Sequence, residues 1–139
     1  MKILVYYVGK ARDPNANRMA EDFIRRSARF ARCEMREIVP ARFDPWAKHP
    51  CATKILLDPA GRAMDSAAFA QLVAQAELHA RDLVFLVGGA SGPPAAWKEN
   101  GALLLALSPM TMPHELARVV LTEQIYRAFT TLRGHPYPK

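Results

Sequence analysis

Four short apolar runs set the limits on what this chain can fold into: KILVYYVG at residues 2–9, KILL at 54–57, LVFLV at 83–87 and LLLAL at 103–107. They are apolar at consecutive positions rather than alternate ones, the pattern of strands covered on both faces. A fifth run, CEMREIV at 33–39, alternates apolar and charged residues, which predicts a strand at a sheet edge or with one wet face. Helical periods lie between these runs. Met19, Phe23, Ile24 and Phe30 recur after the turn Asp13-Pro14-Asn15, with Glu21 and Arg25 spaced for an ion pair on the wet side. Phe69, Leu72, Val73 and Ala76 form a second stripe behind a Ser66 cap. Such alternation predicts an α/β fold, a parallel sheet with helices on both faces. The stretch 40–50, with three prolines and Trp46, leaves no room for a full crossover helix.

The chain has 139 residues, 50% of them from the set AVILMFWYC, enough to bury the core of one domain spanning 1–139. No apolar stretch approaches the roughly 20 residues of a membrane span, and the N-terminus has no secretory pattern. A cytoplasmic protein without membrane partner is expected, with Cys33 and Cys51 as reduced thiols. Nineteen Lys and Arg against 13 Asp and Glu give a net charge of +6. That balance favours a polyanion such as RNA or DNA, though it also serves solubility. No HExxH, paired CxxC or clustered carboxylates point to a metal.

Ligands of open α/β sheets collect at the carboxyl ends of strands, so the informative residues follow each apolar run. Three turns stand there: Leu57-Asp58-Pro59-Ala60-Gly61, Gly88-Gly89-Ala90-Ser91-Gly92, and Ser108-Pro109-Met110-Thr111-Met112-Pro113. The first is expected to close its strand. The second lacks the GK[ST] of a phosphate loop and the spacing of a dinucleotide fingerprint, and its glycines permit close approach of a ligand or of a neighbouring segment. Ser91-Gly92 is a fragment of a hydrolase elbow without the rest of it. The third turn interrupts an apolar stretch, which fits a plain strand-to-helix turn or a loop whose freed backbone groups hold a ligand. Met110 and Met112 suit an adenine slot or core filling, and His114 suits a base, a phosphate contact or a surface position. In the helix after Pro113, Ala117, Val120, Leu121, Gln124, Ile125, Ala128 and Phe129 trace one face and Val119 and Tyr126 another, suggesting one side for the sheet and one for a partner. The tail Arg133-Gly134-His135-Pro136-Tyr137-Pro138-Lys139 has little capacity for regular structure and suits stacking on an exposed base.

MKILVYYVGK at the start, LVGGASG in the middle and LSPMTMPHELARVVLTEQIYRAFTTLRGHPY at the end resemble the ribosomal RNA large subunit methyltransferase H family. The likeness covers nearly the whole chain, and the pattern MTxPHxLxRVxLxEQxYRA is highly specific. It implies a SPOUT-class fold with a C-terminal trefoil knot, a homodimer, and S-adenosylmethionine as cofactor. It further implies methylation of N3 of a pseudouridine in 23S ribosomal RNA, on the large subunit or the assembled ribosome. The implied cofactor loops are Leu57, Gly88 with Gly89, and Leu107, Ser108, Pro109, Met110, Thr111 and Met112. His114, Arg118, His135 and Tyr137 are the candidates for orienting the substrate or removing its proton. Two departures from the family stand out: the short 40–53 connection, and Pro138 where the family usually carries a second tail histidine. They leave open a binding module of the same fold with impaired turnover, and a hydrolase built on Ser91 is a third possibility.

Overall fold

β1 (Lys2–Val8), β2 (Arg32–Ile38), β3 (Thr53–Ala63), β4 (Leu83–Val87) and β5 (Leu103–Ala106) form one sheet in the computed structural model of the chain, which describes residues 1–138. Every neighbouring pair is parallel, and the order is β2-β1-β4-β3-β5. β4, at the centre, buries every side chain and its neighbour β1 buries Ile3 to Tyr6, as consecutive apolar runs require, and the alternating β2 lies at an edge.

Helices α1 (Pro14–Ser27), α3 (Ser66–Leu78) and α5 (His114–Leu132) cover one face, where Ile3, Val5, Phe69, Val73, Phe85, Leu121, Ile125 and Phe129 make the larger core. The other face is covered by the one-turn α2 (Pro45–Lys48), a 3-10 turn at Pro40–Arg42 and α4 (Ala95–Glu99). There Trp97, Phe43 and Trp46 pack over Leu4, Tyr6, Leu56 and Leu86. The lean 40–53 connection therefore serves as a lid on the sheet, with Phe43 centred 4.6 Å from Tyr6 and His49 Nε2 2.7 Å from the Tyr6 hydroxyl.

Several local expectations give way to tertiary packing. β3 does not end at Leu57: Leu57 and Arg62 both pair with Leu105, so Asp58–Gly61 is an excursion within a longer strand. A Cβ on Gly61 would stand 2.6 Å from the Leu104 carbonyl carbon, so only glycine lets the excursion rest on β5. Asp65, not Ser66, caps α3, accepting from the Ala68 amide, and Ser66 instead donates to Gln124. On α1, Asp22 rather than Glu21 pairs with Arg25 and also takes Arg26, while Met19 faces solvent. The second face of α5 is not left for a partner. It is covered by α1, with Phe23 and Phe30 against Tyr126.

Candidate functional site

The carboxyl ends of β3, β4 and β5 converge on a partly open cavity of about 190 Å³. Leu57, Asp58 and Pro59 form one wall, Val87, Gly88, Gly89, Gly92 and Pro93 a second, and Leu105, Leu107, Ser108, Met110 and Met112 a third. His114 and Ala117, on the first turn of α5, close it. Of the residues expected around a cofactor, Leu57, Gly88, Gly89, Leu107, Ser108, Met110 and Met112 line this cavity. Pro109 and Thr111 belong to the same loop without lining it. Met110 is 78% exposed, so it is no core filler.

The second wall holds its shape by main-chain contacts. Gly92 donates to the Gly89 carbonyl at 3.0 Å and has φ +83°, closing a four-residue turn. A Cβ on Gly88 would lie 2.8 Å from the Pro93 nitrogen, and one on Gly89 3.0 Å from the Val8 oxygen. These glycines are therefore required by the loop's own closure and by β1. In the third wall, Ser108 Oγ accepts from the Met110 amide at 3.0 Å. Among the described residues the amides of Thr111 and Met112 donate to no protein group, which leaves main-chain donors for a ligand. An apolar slot of this kind can take a flat aromatic ring such as a purine.

The four candidate catalytic residues do not gather. His114 alone lines the cavity. Arg118 is 1% exposed and does not line it: its guanidinium carbon sits 3.7 Å from the Tyr7 ring centre, and Nη1 donates to Asn17 Oδ1 at 3.2 Å. Glu115, whose Oε1 lies 3.7 Å from Arg118 Nη2, accepts from the amides of Arg12 and Asp13 at 2.6 and 3.2 Å. Those amide bonds, first Arg12's and then Asp13's, hold the Glu115 carboxyl below its ordinary range. Arg118 thus belongs to a brace joining β1, α1 and α5. It is buried there and does not line the cavity.

His135 and Tyr137 lie on the tail, which folds back along α5. The Tyr137 hydroxyl donates to Glu123 at 2.9 Å, its ring meets Tyr126 edge-on at 4.6 Å, and His135 Nδ1 accepts from the Tyr137 amide at 3.1 Å. Burial, then the hydrogen bond to Glu123, push the Tyr137 phenol above its ordinary range, which disfavours it as a proton acceptor. Glu123 lies nine residues beyond His114, roughly 13 Å along the helix. The tail does not stand beside its own chain's cavity, and Lys139 lies outside the described residues. Ser91 is exposed, and among the described residues its hydroxyl bonds to no histidine, so the elbow fragment has no base.

Sequence reasoning missed Asp58 and Lys98. Asp58 is mostly buried, its Oδ2 lies 2.7 Å from Lys98 Nζ, and its Oδ1 accepts from the Ala60 amide at 2.8 Å. The Lys98 bond first, with the Ala60 amide, lowers its pKa. A carboxylate directly after a buried run was a usable signal for Asp58, whereas nothing local marks Lys98.

A family described as predicted SPOUT methyltransferase matches residues 1–138. The ribosomal RNA large subunit methyltransferase H of Solibacter usitatus (strain Ellin6076) is 60% identical over 137 residues, 99% of each chain. A protein of the same name from Thermus thermophilus is 38% identical over 150 residues, covering 99% of this chain and 98% of its own. Among solved structures, a probable methylase family protein from Haemophilus influenzae Rd KW20 superposes with a TM-score of 0.59 at 10% identity, over 99% of this chain and 70% of that one. A putative methyltransferase from Legionella pneumophila, in complex with the bound cofactor SAM, gives 0.56 at 13% identity, over 92% and 66%. At those identities the likeness is one of fold.

Proposed function

The chain belongs to the SPOUT methyltransferase family, and on that premise we propose that it uses S-adenosylmethionine to methylate large-subunit ribosomal RNA, at N3 of a pseudouridine. The observation that carries this reading is the cavity itself: three strand-end turns, two of which bear the family's motifs, meet around one apolar slot, and the last of them carries main-chain amides unpaired among the described residues. The Solibacter relative matches this chain in length as well as sequence, which weakens the case that the short 40–53 connection marks lost turnover.

When bound, S-adenosylmethionine supplies a methyl group activated by its sulfonium. The protein's part is placement. Leu57, Leu105, Leu107 and Met112 would present apolar surface to the adenine, and the unpaired amides of Thr111 and Met112 in the same loop would be donors for its edge. His114, at the cavity rim on the first turn of α5, is the nearest candidate to accept the N3 proton as N3 takes the methyl. Arg118 holds that turn in place through Tyr7 and Asn17.

The same reading includes a homodimer and a knot. Tyr137 and His135 lie away from their own cavity, so any duty at the substrate falls to the tail of a second copy. Exposed Met110, at the cavity, and exposed Leu116, on the first turn of α5, offer apolar surface for that contact. Support for the knot comes from α5: it follows the edge strand β5 yet packs on α1, beyond β4 and β3. A second copy and the threading are tested by light scattering on the purified protein and by an experimental backbone trace. The activity is tested with ribosomes from cells lacking this gene. Purified protein and cofactor should add one methyl to a pseudouridine of 23S RNA, read by mass spectrometry of digested RNA. No incorporation would favour a binding module without turnover, and a methyl on another nucleotide would refute the assigned target.

A further inference from the structure

Asp58 lines the first wall of the cavity, Lys98 stands on α4, the helix that follows the second wall, and their contact ties the β3 excursion to that helix. Asp58 opens the excursion from β3, and its Oδ1 fixes the excursion's shape through the Ala60 amide. Gly61 seats the far end of the excursion on β5, where no Cβ fits. Lys98 is carried by α4, which follows the Gly88–Pro93 loop and is anchored to the sheet by buried Trp97. Because that loop is closed so tightly that a Cβ on Gly88 would strike the Pro93 nitrogen, a shift of α4 must move the second wall with it. The pair is asymmetric: the side chain of Asp58 is 10% exposed and that of Lys98 50%. Such a carboxylate needs a cation, and Lys98 is the cation it has among the described residues.

We propose that the Asp58–Lys98 pair is a positioning device for the cofactor, fixing the gap between the β3 excursion and the Gly88–Pro93 loop rather than touching the ligand. This rests on the cavity's being the cofactor site. A wall tied at 2.7 Å on one side and seated on β5 on the other is held in one shape before a ligand arrives, which reduces the ordering required on binding. A charge-assisted hydrogen bond lost from a mostly buried group is expected to weaken binding by about tenfold.

The test is calorimetric titration of S-adenosylmethionine and of its demethylated product, S-adenosylhomocysteine, into wild type, Asp58→Asn, Lys98→Met, the double variant and Lys98→Arg. A positioning pair predicts that both single variants weaken both ligands to a similar extent. The double variant should be no worse than either single one, and Lys98→Arg should restore most of the loss. Circular dichroism confirms folding, and the half-exposed Lys98 keeps the test available should Asp58→Asn fail to fold. Wild-type affinity in Lys98→Met would overturn the proposal. So would a loss confined to S-adenosylmethionine, since that would place Asp58 in direct contact with the sulfonium charge. Failure of the wild type to bind either ligand would overturn the cofactor site itself, and with it this inference.

Discussion

Gly88 shows how a residue picked out by its chemistry acquires a different reason once its neighbours are known. Its missing side chain suggests room for a ligand, but the vacant Cβ position faces Pro93 and Gly92 of its own loop. Gly88→Val should therefore lower the melting temperature as well as abolish S-adenosylmethionine binding, measured by thermal unfolding and calorimetry. Unchanged stability with lost binding would instead mean that the side chain enters the cavity. The two cysteines differ by burial. Cys33, on β2, has its thiol pushed up to about 12 by desolvation, whereas Cys51 is exposed. Iodoacetamide near pH 8 should label Cys51 in the folded protein and leave Cys33 intact by peptide mass spectrometry. Labelling of Cys33 first would contradict its placement in the core.

The elements were legible in proportion to how far their patterns are local. β1, β4 and β5 are consecutive apolar runs, and α1, α3 and α5 follow their stripes to within a few residues. The β3 excursion was hidden because Pro59 and Gly61 read as a terminator, and only pairing with Leu105 on a strand some 40 residues later shows that the strand resumes. The second face of α5 was misassigned to a partner for the same reason: its cover, α1, is remote in sequence. Arg118, a charge within that face, is braced by Tyr7 and Asn17 in a contact that no helical period encodes. Arg118→Ala should cost about 3 kcal/mol of stability, seen in denaturant unfolding, through lost packing and stranded partners. Full stability with reduced turnover would return Arg118 to a direct catalytic role. Glu115 adds a pH signature. Its folded pKa is depressed, so its contribution is present above the ordinary carboxylate range and is lost as pH falls through the folded value. Glu115→Gln should melt below wild type at neutral pH, and the difference should shrink as pH falls through the folded pKa of Glu115. A difference independent of pH would argue against the amide clamp.

At the scale of the molecule, the sheet's carboxyl end holds the cavity while the tail is folded against α5, and no single chain brings the two together. Deleting residues 134–139 should leave S-adenosylmethionine affinity near wild type while lowering methylation of ribosomes by roughly two orders of magnitude, the scale of a lost orienting contact. Equal methylation after truncation would remove the tail from the mechanism. The family motifs made two of the cavity's three turns readable from the sequence, because they lie in contiguous stretches at strand ends. The catalytic residues were not readable in the same way, because their roles depend on which surfaces meet. The most direct measurement is a crystal structure with S-adenosylmethionine. Density for the adenosyl group should fill the slot between Leu57, Gly88 and the 107–112 loop, within hydrogen-bond reach of the Thr111 or Met112 amide. Density elsewhere on the protein, with this slot collapsed or filled by side chains, would contradict the assignment.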